Sequence, residues 1–145
     1  MTQPAIPRAV RRLVRDRSGN RCEYCLHPAR YASGPYVCEH VFPRARGAGN
    51  TPAELAWACS GCNSHKYDKT HARDPVTGRT APLFNPRRQH WEHHFSWSED
   101  FLLILGQTLT GRATVEALRL NRSELVNLRR VLVQVDEHPP PVYTG

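Results

Sequence analysis

The stretch Cys22-Glu23-Tyr24-Cys25, answered by Cys59-Ser60-Gly61-Cys62-Asn63, decides how the rest of this chain reads. In each pair a two-residue spacer lets one tight turn aim two sulfurs at a single point, and 33 residues lie between Cys25 and Cys59. Together the pairs supply four thiolates, the donor set of a tetrahedral all-cysteine zinc site. Disulfides would suit a secreted chain, but residues 1–20 are polar and Arg-rich, without the apolar run of a signal peptide. A thioredoxin-type redox pair would need one CxxC on a βαβ scaffold, and neither flank suggests one. Structural zinc at Cys22, Cys25, Cys59 and Cys62 is therefore the favoured reading. Cys38, the fifth cysteine, reads as a small buried hydrophobe on a strand.

With 145 residues the chain is one domain by length, large enough for a modest core. Twenty Lys plus Arg against thirteen Asp plus Glu leave +7, and Lys occurs only at Lys66 and Lys69. Guanidinium forks match phosphate oxygens in pairs, so this balance favours a nucleic-acid partner; compositional bias in the coding DNA is the competing explanation. No run of 18 apolar residues offers a membrane span. Reduced thiols holding zinc imply a cytoplasmic setting.

Working outward, Val10, Leu13 and Val14 recur at helical spacing among five arginines and stop at Gly19-Asn20, which predicts an N-terminal amphipathic helix within residues 1–20. Residues 21–70 form the zinc core. Tyr36 to Phe42 alternates like a strand and ends at Pro43. Thr51-Pro52 reads as an N-cap followed by Pro at the first helical position, so a helix is expected from Pro52 into Trp57. Asn63 is expected to open a short turn carrying His65 and Lys66. Residues 71–136 are a C-terminal extension packed on the core: polar turns from Asp68 to Gly78, a helical face at Trp91, His94 and Phe95, and a strand over Phe101–Leu105. Thr110 should cap the next helix, and Ser123 a last one with Leu125, Leu128, Val131 and Leu132 inward. Pro139-Pro140-Pro141 predicts a loose tail over 137–145. Trp57, Trp91 and Trp97 read as core anchors rather than platforms for stacked bases.

Chemistry concentrates between the knuckles. His40 suits a general base, because a free imidazole titrates near neutral pH. Glu39 adjoins it, and a bulge or bend at the strand end would turn both toward one site. Asn63 follows the last cysteine directly, so the knuckle fixes its backbone. Carboxylate and amide oxygens suit Mg²⁺ or Mn²⁺ rather than zinc. Arg44, Arg46, Lys66, Arg87 and Arg88 flank these residues and are candidates for DNA-backbone contacts.

In order and spacing, Cys22-x-x-Cys25, Glu39-His40, Cys59-x-x-Cys62-Asn63 and Lys66 resemble the HNH endonucleases of the His-Me finger (ββα-metal) superfamily. The tail resembles a bacterial subgroup carrying Leu83-Phe84-Asn85-Pro86-Arg87, Trp91-x-x-His94-Phe95-x-Trp97 and Thr110-Gly111-Arg112-Ala113-Thr114-Val115. The resemblance implies an α+β fold: a small zinc-stabilised ββα-metal core with flanking N- and C-terminal helices. It further implies hydrolysis of DNA, double-stranded by expectation, with His40 as base and one divalent ion on Glu39 and Asn63. Glu39 stands where the family usually has Asp. Glu54 stands at the middle motif position, usually Asn, so the loop brace is either altered or supplied by Asn50. His94 matches the tail histidine, either facing the site or holding a helix against the core. His65, His71, His90 and His93 read as surface or phosphate-adjacent. The alternative function is a zinc-containing DNA-binding module without turnover, and a third is a zinc-ribbon scaffold that binds protein.

Overall fold

What the knuckles must hold together sets the architecture. The computed structural model describes residues 5–42 and 49–141. Its α-helices are α1 (Arg8–Arg17), α2 (Ser60–Lys66), α3 (Trp91–His94), α4 (Leu109–Leu118) and α5 (Ser123–Gln134). Its strands are β1 (Tyr36–His40), β2 (Leu55–Cys59), β3 (His71–Arg73), β4 (Thr80–Pro82), β5 (Phe95–Trp97) and β6 (Ile104–Gly106). Consecutive strands pair antiparallel into three separate two-stranded sheets, so the fold is α+β, as expected. No described helix is long and apolar enough to cross a membrane.

The central hairpin is β1–β2, in register from Tyr36 opposite Cys59 to His40 opposite Leu55. The first knuckle lies against its outer edge: the Glu23 N–H donates to Trp57 O (2.8 Å), and the Trp57 N–H donates to Glu23 Oε2 (2.7 Å). Helix α1 buries Val14 completely and leaves Leu13 about half exposed. Its last arginine, Arg17, donates to Pro52 O (2.7 Å) and Leu55 O (2.6 Å), tying the helix to the start of β2. Helix α2 follows β2 without a break, capped by the Cys59 sulfur, which accepts from Cys62 N. Cys38 is buried on β1.

Several expectations fail for physical reasons. The helix from Pro52 to Trp57 is only a 3₁₀ turn (Pro52–Glu54), after which the chain becomes β2. Every residue of β2 is buried, so it has no polar alternation to betray a strand. The polar stretch before Gly78 builds the β3–β4 hairpin around Asp74, whose carboxylate accepts two 2.9 Å bonds from the Arg112 guanidinium. Thr108, not Thr110, caps α4, accepting from Gly111 N. Gly111 is required here, because a Cβ would run into the His94 carbonyl oxygen. Helix α5 turns Leu125, Arg129 and Leu132 inward and leaves Leu128 and Val131 exposed. The Arg129 guanidinium satisfies Leu102 O, Leu120 O and Asn121 Oδ1 at 2.7–3.1 Å and lies over the Trp97 ring. The described part of the tail is docked rather than loose: His138 is buried, bonded to Phe101 O (2.8 Å) and set edge-on to Trp97. Trp57 is buried, and Trp91 and Trp97 pack on the core, as anchors would.

Candidate active site and metal centre

The four sulfurs of Cys22, Cys25, Cys59 and Cys62 lie within 4.8 Å of one another, all buried. A zinc ion with bonds of about 2.3 Å at a tetrahedral centre would place its sulfurs about 3.8 Å apart. The Cys25 and Cys59 sulfurs are 3.8 Å apart, so the cluster fits a structural zinc ion. Within the knuckles, Cys25 N–H points at Cys22 Sγ (3.5 Å) and Cys62 N–H at Cys59 Sγ (3.4 Å), softening the thiolate charge. Burial pushes the Cys22 thiol well above its ordinary pKa, so a cation at the centre would stabilise its thiolate.

One contributor was not visible in the sequence. Arg122, at the head of α5, donates from Nη2 to Cys59 Sγ (3.4 Å) and from Nη1 to Cys62 Sγ (3.6 Å). A zinc ion and its four thiolates carry a net negative charge, and this guanidinium offsets part of it. Gly61 makes the approach possible, since a Cβ there would collide with Arg122 Nη2. The only sequence signal was the smallness of the residue between Ser60 and Cys62.

The β1 ladder is regular to His40, so no bulge interrupts it, and the chain bends just beyond, at Val41 and Phe42. Glu39 turns inward and is buried. The Tyr24 hydroxyl donates to Glu39 Oε1, and the Lys66 ammonium meets Oε2 at 3.0 Å. Burial raises the Glu39 pKa while Lys66 opposes the rise; burial and then the Glu39 charge hold the Tyr24 hydroxyl well above its ordinary value, keeping it a donor. Lys66 also donates to His40 O (3.2 Å) and Val41 O (3.1 Å). At 2 % exposure Lys66 is not the DNA-backbone contact expected of it: its charge is spent on the hairpin. These three oxygens are the kind a hard cation uses, and the ammonium already sits among them. With one partner on each Glu39 oxygen, a divalent ion at Glu39 would have to share those oxygens with Tyr24 and Lys66 or displace the ammonium.

His40 emerges at the strand end, half-buried, with Nε2 2.9 Å from Asn50 Oδ1. Glu54 braces the same loop, accepting from Gly49 N and from the Thr51 hydroxyl (2.5 Å), contacts that lower its pKa, the Thr51 bond most. The middle-motif brace is thus divided: Asn50 holds the imidazole and Glu54 holds the loop. Asn63 is half-buried on α2, one helical turn before Lys66.

The remaining candidates scatter. His94 Nδ1 bonds the Thr108 hydroxyl (2.7 Å) and its ring lies on Phe84, so its contacts fasten α3 to α4. Burial, then the neighbouring His93, lowers its pKa. Phe84 N–H in turn donates to Thr114 Oγ1 (2.9 Å), so the tail motifs pack on one another. Arg87 is bonded to Glu23, whereas Arg88 is exposed. Arg44 and Arg46 lie outside the described residues.

No curated protein and no solved structure matches this chain. Residues 22–69, from the first knuckle to just past Lys66, match the family model described as HNH endonuclease, and the match stops short of the tail motifs.

Proposed function

We propose that this chain is a nucleic-acid endonuclease with DNA as substrate, in which His40 is the general base. The observation that carries the reading is the His40–Asn50 bond at the loop end of a hairpin whose other end the cysteine cluster holds, within the stretch that matches HNH endonucleases. The Asn50 amide holds the ring through Nε2, and the neutral imidazole supplies a basic lone pair. The imidazole takes a proton from water as the water oxygen attacks phosphorus. The P–O ester bond breaks, and the departing oxygen is protonated by solvent. Asn63 supplies an amide beside the scissile phosphate, and Asn50 keeps the ring from turning. The divalent ion expected of the family would need Glu39, which Lys66 and Tyr24 hold instead.

A second reading, a DNA-binding module without turnover, is favoured by that same buried Glu39–Lys66 pair. Supercoiled plasmid distinguishes the two. Incubation with Mg²⁺ or with Mn²⁺ should give nicking that chelator stops and that His40→Ala abolishes while its melting temperature is kept. Cleavage by His40→Ala at the wild-type rate would refute the role of His40. Binding without nicking under both metals would establish the second reading.

A further inference from the structure

A cavity of about 680 Å³ opens between the end of α1, the first zinc knuckle and the segment 84–92. Arg17, Arg21, Arg87, Arg88 and His90 line it, against the carboxylates of Glu23 and Glu92. Glu23 is already spent, one oxygen on Trp57 N–H and the other on Arg87 Nη2. Two guanidinium nitrogens, Arg21 Nη1 and Arg87 Nε, are buried with no hydrogen-bond partner among the described residues. A buried donor left unmatched costs free energy, more so when it carries charge, so added negative charge beside these guanidiniums would be favourable. Burial and then the charge of Arg17 drag the Arg87 pKa down to about 10, the behaviour of a cation crowded by its own kind. Four arginines and a histidine lining one hollow, with Arg88 exposed, form a cationic setting suited to a tetrahedral oxyanion.

We propose that this cavity is a phosphate-binding site. Its position names the source. Arg17 in its wall donates to Leu55 O, and Leu55 is the cross-strand partner of His40. A strand lying across the end of the hairpin therefore passes the cavity, and a phosphate of that strand enters it. The strand source rests on the nucleic-acid reading above; a free phosphate would use the same donors.

The test uses the full chain with zinc content verified, comparing wild type with Arg21→Gln and, because Arg21 adjoins Cys22, with Arg88→Gln at an exposed position. In one arm a fluorescent duplex is titrated across a salt series without divalent ions. Each variant should bind several-fold more weakly and flatten the slope of log affinity against log salt by about 0.9, the loss of one phosphate contact. In the other arm the melting temperature is followed in inorganic phosphate against chloride of equal ionic strength, and the rise seen for wild type should shrink in both variants. A wild type that binds no duplex but answers to phosphate removes the strand source and the nucleic-acid reading while the cavity stands. Variants matching wild type in both arms overturn the proposal.

Discussion

Replacing Lys66 with methionine removes the cation from a carboxylate that has no water to turn to. The Lys66 and Glu39 side chains are 2 % and 3 % exposed, and the ammonium also serves two backbone carbonyls. Breaking one half of a buried pair costs about 3–5 kcal/mol, because the remaining charge is uncompensated. Unfolding entropy is about 2.1 cal/mol/K per residue, so a 145-residue chain carries about 0.3 kcal/mol/K and the melting temperature should fall by about 10–16 °C. The loss should depend on pH with a definite sign. The Glu39 pKa is raised on folding, so its contribution to stability is full below the ordinary value of 4.5 and is lost as pH rises through the folded value. Without Lys66 that folded value climbs further. The gap between variant and wild type should therefore widen from about pH 4.5 upward, where the carboxyl must give up its proton. Adding Glu39→Gln to Lys66→Met should recover much of the loss, since a neutral amide can still accept from Tyr24. Denaturant melts of wild type, each single variant and the double variant at several pH values read all of this. A Lys66→Met cost below about 1 kcal/mol at neutral pH, or no recovery in the double variant, would refute the buried-pair argument.

Arg122→Met should leave the four cysteines able to bind zinc but release the metal faster to a competing chelator. Gly61→Ala should do the same by displacing the guanidinium, and a zinc-transfer rate equal to wild type in both would show that Arg122 is a bystander. Asp74→Asn should lower the melting temperature near neutral pH. Arg112 holds the Asp74 pKa well below 3.8, so this contribution is present above that value and disappears as pH falls through the folded one. The variant and wild-type melting curves should converge in acid, and a constant gap would assign the loss to packing.

The four-cysteine cluster and the β1 strand were legible because their signals are local: two sulfurs per turn, and polar residues alternating with apolar ones. Strand β2 was not, because its burial on both faces erases the alternation. Lys66 looked like ordinary surface charge, since nothing in its neighbours shows that the helix turns it under the hairpin toward Glu39. Arg129 carries no signal in the sequence for its inward position, which two backbone oxygens and one amide oxygen secure. Arg122 meets Cys59 and Cys62 across about 60 residues of sequence, a distance that no spacing rule spans. The split of the loop brace between Asn50 and Glu54 was half legible, from the unusual residue at the middle position.

The cysteine cluster is the meeting point of three stretches far apart in the chain: residues 22–25, residues 59–62 and Arg122. A ribosome that has released only the first two has made a polypeptide able to seize its metal but not to guard it. Until the third arrives the sulfurs lack the Arg122 guanidinium that lies beside two of them. If that cation slows metal loss, folding of the C-terminal third would turn a capture of metal into a lasting one.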